Sequence, residues 1–563
     1  MLKHSGRELK KLLAIVKKNY PECDSTLIQR AFSFAKKAHR NQKRESKQPF
    51  FIHPVAAAFI LAELGADCKT VAAALLHDVL EDTKTKPAQL KGLFGQDVLR
   101  LVQGVTKLTK IAEQKQSVRA AANLQHLLLA TTKEPRVIVI KLADKLHNLR
   151  TLRFLPSEDR HRIAAEALAV YAPIALKLGI HALYNEMSGL AFKFLRPDVY
   201  RVLKRSVVKK EKAKRPEINA MIGIIKKKVG RDFLFSIDEK TFFAIYSKMQ
   251  AKEKSLDEVP DTLVLKIIAP TVADCYCLLG ILHGLFTPLP GKIKDYIALP
   301  QPNLYQALHS TVLGPSGNPV KVRIATKEMQ EITSKGIIAF WQLQSKGTDK
   351  LLSKNIALLA KVMGKSAAAG SSDFVDALKS DFLAKTMTVF SAAGKAVELP
   401  AGATPIDFAF NFDKKSAFRL WEAKVNGKFV SLSRKLESGD IVELIPSSEL
   451  QVKESWIHFA KSFAVKEAIR VFLRKQQRNL LKQMPSIDLN VKANDAVGVL
   501  AAISRAISGS GINIKAADVA AMPNTKAECH FNLEFPSAEK LRKAIEKIKK
   551  IKDVKLVEII YRE

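Results

Sequence analysis

The helical period of the first two hundred residues gives way to strand texture near residue 231, which rules out a single all-α or all-β fold. Before the change, "LIQRAFSFAKKAHRNQ", "PVAAAFILAELGA" and "HRIAAEALAVYAPIALKLGI" repeat apolar residues at helical spacing. After it, "DTLVLKIIAP" (261–270) and "NPVKVRIAT" (318–326) read as strands around the helix "VADCYCLLGILHGLF". The small, polar "KSAAAGSSD" (365–373) reads as a linker. Two hairpins follow, one turning near Gly394 and one at Asn426-Gly427, a pair suited to a tight turn. Residues 448–484 return to basic amphipathic helix. From 485 the order is strand-helix-strand-strand-helix-strand, a ferredoxin-like pattern.

A chain of 563 residues is too long for one core and predicts about three or four domains. Its formal net charge of +37 predicts a polyanionic partner such as RNA, a nucleotide or an acidic surface. The five cysteines are scattered and odd in number, which argues against a disulfide framework and fits a reducing cytosol. No stretch reaches the ~18 apolar residues of a membrane span, so a soluble, cytoplasmic protein is expected.

The segment "AAALLHDVLEDT" (72–83) places four ionisable groups in an apolar run that reads as the interior of a helix. On a continuous helix His77 shares a face with Glu81, and Asp78 with Asp82. His53, in "FFIHPVAAAFI", precedes a proline that favours a helix start. Asp144, in "VIVIKLADKLHNLRTL", shares a face with Asn148. Buried charges must be paired, hydrogen-bonded or metal-bound. Two imidazoles and two carboxylates form a mixed N/O donor set suited to manganese, iron or zinc.

These segments, with "YAPIALKLGI" and the later modules, resemble the RelA/SpoT homologues, which make and degrade the alarmone (p)ppGpp. The resemblance covers most of the chain. It implies an all-α HD-hydrolase domain over 1–196 acting as a manganese-dependent (Mn2+) 3′-pyrophosphohydrolase. By carry-over, His53, His77, Asp78 and Asp144 hold the metal, and Glu81 and Asp82 orient and deprotonate the attacking water. Arg44, Ser46, Asn148 and Thr151 match substrate contacts. The family's R-K-S-G reads "RESK" here: Glu45 replaces Lys, Lys47 replaces Gly, and a carboxylate beside a polyphosphate repels it.

Residues 197–350 resemble the family's mixed α/β, nucleotidyltransferase-like synthetase domain, with its functional positions altered. Asp238 stands where an Arg would bind triphosphate, while Lys240 and Asp261 are kept and Lys266 replaces an Arg. In "KVRIAT", Lys321 replaces the catalytic Glu, Arg323 a Gln and Ala325 an Arg. Gln301 replaces Lys and Leu304 replaces Gly, whereas Tyr305 and His309 are kept. Pyrophosphoryl transfer needs carboxylates for Mg2+ and cations for triphosphate. A lysine cannot ligate Mg2+, and an aspartate at the triphosphate contact repels ATP, so loss of synthetase activity is expected.

A linker or helical stretch (351–383) leads to a segment resembling a β-grasp TGS domain (384–447), whose family link is to the tRNA 3′ end or the ribosome. The helical segment (448–484) is followed by one resembling a ferredoxin-like ACT domain (485–563). The resulting expectation is a (p)ppGpp hydrolase with a degenerate synthetase domain. A bifunctional enzyme and a non-catalytic RNA- or ribosome-binding regulator are the rivals.

Overall fold

The computed structural model describes residues 2–106, 127, 130–131, 133–229, 232–252, 262–301, 303, 305–343, 380, 386–483, 486–494, 496, 498–522, 526–534 and 538–561. The chain divides into two compact units, Met1–Ala384 and Lys385–Glu563. Asp261, Leu304 and nearly all of the expected linker at 351–383 lie outside the described residues.

Among the described residues, the first unit begins with seven helices: α1 (Leu2–Asn19), α2 (Ser25–Ala38), α3 (Ile52–Leu64), α4 (Cys68–Leu76), α5 (Val79–Asp82), α6 (Pro87–Val105) and α7 (Arg136–Arg150). Helix α3 is apolar on most sides and buries nine of its residues, His53 among them. A helix that is hydrophobic all round belongs inside a core. Helices α4 and α7 pack against it. Asp67 caps α4, accepting the Thr70 N–H at 2.9 Å.

Two expectations need correction. The segment 72–83 is not one helix: α4 ends at Leu76, His77 and Asp78 form a turn, and a four-residue α5 follows. The cause is local. The imidazole Nδ1 of His77 lies 2.8 Å from the Ala74 carbonyl, the acceptor a continuous helix offers to the Asp78 N–H. The second concerns the cysteines. Cys23 and Cys68 are joined by a disulfide, their Cα atoms 5.7 Å apart. They are 45 residues apart in sequence, and only the packing of α2 on α4 brings them together.

The strand-rich part of this unit is a five-stranded sheet of order β1-β2-β5-β4-β3, formed by β1 (Leu234–Glu239), β2 (Leu263–Ala269), β3 (Lys294–Asp295), β4 (Leu308–Leu313) and β5 (Pro319–Thr326). Strands β2 and β5 run parallel, and Lys266 lies opposite Arg323. The Val272–Leu285 helix packs on them over a core of Leu265, Ile267, Leu278, Leu282 and Val322. After β5 the chain returns to the helical part. Gly336, at φ 54°, lies so close that a Cβ there would stand 2.3 Å from the Leu178 carbonyl oxygen. That same carbonyl accepts the Ile337 N–H at 3.1 Å.

In the second unit, β6 (Thr386–Ser391), β7 (Ala396–Pro400), β8 (Leu420–Val425), β9 (Lys428–Val430) and β10 (Ile441–Pro446) form a sheet of order β7-β6-β10-β8-β9. Asn426 and Gly427, at φ 52° and 78°, make the expected turn. The expected helix over 448–484 is shorter, comprising Trp456–Phe459 and Phe463–Gln483. The chain before it is pinned as a loop, the Ser447 and Gln451 N–H groups donating to Arg419 and Phe418. Strands β11 (Ser486–Asn494), β12 (Ile514–Met522), β13 (Lys526–Glu534) and β14 (Val554–Tyr561) form an antiparallel sheet of order β12-β13-β11-β14. Its two helices, Val499–Ser508 and Ala538–Lys549, contribute to a shared apolar core with the sheet.

Candidate metal centre and the cationic cleft

Three elements converge on one buried cluster: His53 from the first turn of α3, His77 and Asp78 from the turn between α4 and α5, and Asp144 from α7. One ligand atom each from His53, His77 and Asp144 lies within 4.8 Å of the others. The His53 Nε2 stands 3.1 Å from Asp144 Oδ1 and 3.5 Å from Asp78 Oδ2. The His77 Nε2 stands 3.1 Å from Asp78 Oδ1 and 4.0 Å from Asp144 Oδ1. His53, His77 and Asp144 are each 5% exposed or less.

The donor set fits a divalent cation. A carbonyl only accepts, so His77 Nδ1 carries the proton given to Ala74, and its Nε2 turns a bare lone pair into the cluster. That buried Nε2 has no hydrogen-bond partner. A buried polar atom without a partner costs about 1–3 kcal/mol, which a ligated cation removes.

Electrostatics hold the cluster in its ligating form. Burial pushes the His53 imidazole below its ordinary protonation range, against the pull of Asp144. Burial alone would raise the Asp144 carboxyl, but the Lys141 ammonium leads the influences that hold it well below the usual range. Lys141 Nζ lies 2.9 Å from Asp144 Oδ2, leaving Oδ1 to face the cluster. On the same helix, Asn148 Nδ2 donates to Asp144 Oδ1 at 2.7 Å, the contact their spacing predicts.

The remaining sequence candidates divide. Glu81 and Asp82 follow Asp78 on α5, Glu81 half-buried and Asp82 exposed. Arg44 reaches α7: Nη2 donates to Asn148 Oδ1 at 2.8 Å, and Nη1 lies 3.2 Å from His147 Nδ1. Ser46 sits in the same loop as Arg44. Lys47, where the family has glycine, holds φ 62°, a left-handed conformation that a side chain disfavours. The Thr151 hydroxyl donates to the His147 and Asn148 carbonyls at 3.1 and 3.2 Å and closes α7. Sequence reasoning missed Lys141 and His147. Both lie three residues from Asp144, one on each side, and that spacing was the available signal.

The second cleft has the opposite character. A cavity of about 890 Å³ over the β1-β2-β5-β4 surface is lined by Lys240, Lys292, Lys294, Lys321 and Arg323, with Asp238 and Glu239 its carboxylates. Asp238 is not the bare repelling anion that the sequence suggests. It lies 3.0 Å from Lys266 Nζ and 3.6 Å from Arg323 Nη1. Tyr305 and His309 meet at 2.6 Å. Burial, then Lys321 and Arg323, push the His309 imidazole down to about 3.

A buried His/Asp cluster on a helical frame defines the HD class, and residues 31–181 match the HD domain family. Residues 238–348 match the region found in RelA and SpoT proteins, 387–446 the TGS domain and 483–558 the ACT domain. The chain is 39% identical over 477 residues to the guanosine-3′,5′-bis(diphosphate) 3′-pyrophosphohydrolase of Aquifex aeolicus, covering 84% of this chain and 67% of that protein. It is 37% identical to the bifunctional (p)ppGpp synthase/hydrolase SpoT of Escherichia coli, covering 82% and 66%. It is 35% identical to the GTP pyrophosphokinase of Myxococcus xanthus, covering 83% and 63%. The chain belongs to the RelA/SpoT family. It spans about two thirds of the length of these curated relatives.

Proposed function

We propose that the chain is a metal-dependent 3′-pyrophosphohydrolase that converts (p)ppGpp to GDP or GTP and pyrophosphate. The observation that carries this reading is the buried His53–His77–Asp144 cluster with the half-buried Asp78 beside it, the His77 Nε2 lone pair turned into it. Manganese is the metal we assign to the four side chains. A cation there would lower the pKa of bound water and neutralise phosphate charge.

The protein groups supply the rest. Glu81 and Asp82 stand one turn beyond the cluster and take the proton of the attacking water. That oxygen bonds to the phosphorus carried on ribose O3′, the P–O3′ bond breaks, and O3′ gains a proton. Arg44, Ser46, Asn148 and Thr151 form the nucleotide-binding rim. Pyrophosphate release from ppGpp, with and without Mn2+, tests the reading. The His77→Ala/Asp78→Ala double variant should lose turnover, and full activity in it would sink the assignment.

We propose further that the synthetase centre is inactive. The reading rests on Lys321 at the position of the catalytic carboxylate and on Asp238 held between Lys266 and Arg323. Incubating the hydrolase-dead variant with ATP, GDP and Mg2+ should yield no ppGpp, and any accumulation identifies a bifunctional enzyme. The domain limits 1–196, 197–350, 384–447 and 485–563 belong to this proposal. So does a tRNA or ribosome contact through the TGS module, where Trp421 and Phe429 are exposed and Lys424 stands over the Phe429 ring. Among the described residues, no helix is long and apolar enough to cross a membrane.

A further inference from the structure

The two candidate imidazole ligands are held by different means. His77 has its tautomer fixed by a carbonyl. His53 has no carbonyl on its far nitrogen. Its Nδ1 lies 2.7 Å from Nδ1 of His147, and both residues are buried. Two ring nitrogens at that distance share a single proton, so the pair alone leaves open which ring donates.

A third group breaks the symmetry. The Arg44 guanidinium has donors and no acceptor, and its Nη1 lies 3.2 Å from the same His147 Nδ1. That nitrogen therefore accepts, its one lone pair shared between Arg44 at 3.2 Å and His53 at 2.7 Å, and the His147 proton sits on Nε2. His53 must then donate from Nδ1, which leaves its Nε2 lone pair facing Asp144 Oδ1 and Asp78 Oδ2. The other arm of Arg44 reaches Asp144 through Asn148. One guanidinium thus orients two of the four candidate ligands from outside the cluster.

We propose that His147 is a positioning residue that accepts the His53 Nδ1 proton and locks His53 in the tautomer whose Nε2 is free to ligate. Arg44 holds His147 in its accepting form. The proposal rests on the metal reading above and needs no nucleotide. A ligating histidine usually gives its outer N–H to a carboxylate, a carbonyl or water, and loss of such a partner typically weakens metal binding 10–100-fold. Here a neutral imidazole fills that place.

The test is Mn2+ titration of the full chain by calorimetry, without nucleotide. His147→Leu keeps the apolar bulk but has no acceptor, and should bind Mn2+ about 10–100-fold more weakly. His147→Asn returns an amide oxygen near the Nδ1 position and should recover most of the loss, which a merely space-filling role would not predict. In the metal-free wild type, 15N chemical shifts should place the His53 proton on Nδ1 and the His147 proton on Nε2. This reading is independent of whether the leucine variant folds. Wild-type affinity in a folded His147→Leu variant, or a His53 proton on Nε2, overturns the assignment of His147. A wild-type chain that takes up no Mn2+ overturns the metal reading itself.

Discussion

The two clefts of the first unit are built from the same few ionisable residue types and arrive at opposite electrostatics. In the helical cluster two carboxylates and two imidazoles meet, His53, His77 and Asp144 deeply buried, and the His77 Nε2 has no hydrogen-bond partner. In the sheet cleft five basic side chains line the cavity, and its Asp238 is already engaged by two cations. The first arrangement offers donor atoms to a cation, and the second surrounds its two carboxylates with basic side chains. A side chain on a strand face can change the charge of a cleft while leaving the ladder intact, so fold alone does not decide the chemistry of a site.

The comparison predicts unequal stability effects. Asp144→Asn removes the partner of a buried ammonium, since Lys141 is 8% exposed, and should cost about 3–5 kcal/mol in urea unfolding. Asp238→Asn sits in a wetter ion pair and should cost about 1 kcal/mol or less. Equal losses at the two sites would break the contrast.

The second prediction probes the field of the sheet cleft. Lys321→Glu should raise the His309 pKa from about 3 toward its ordinary 6.5, followed by NMR of the ring. The sign carries over to stability. A histidine that is harder to protonate folded than unfolded destabilises the protein as pH falls from about 6.5 toward 3, so the variant should lose less stability over that window. An unmoved His309 would show that burial alone sets its protonation.

The smallest effect belongs to the Arg44–Lys47 loop. Lys47→Gly relieves a side chain held at φ 62° and should stabilise the fold by about 1 kcal/mol, read from the urea midpoint. A loss of stability would mean that the lysine makes a compensating contact.

Much of this was legible in the sequence because it is local. Strands β2 and β5, the Asn426-Gly427 turn and the strand-helix order of the last module each follow from spacing within a dozen residues. The Asp144–Asn148 contact follows from one helical turn. The break at His77 was not legible, since periodicity records apolar positions and is silent about a side chain taking a backbone acceptor. The Cys23–Cys68 bridge was missed because counting cysteines gives no distances.

By itself the sequence determined which residue types could bind a metal and that Lys321, Arg323 and Asp238 stand on the strands of the second domain. Only the tertiary structure decided how those groups are used. It set His147 against His53 across 94 residues, turned Arg44 toward α7 across 103, and placed Asp238 between Lys266 and Arg323. The physical reason is range. Helical and turn geometry fixes neighbours within a few residues, but a tautomer or a neutralised charge depends on atoms a few ångströms away in space, and packing alone supplies those.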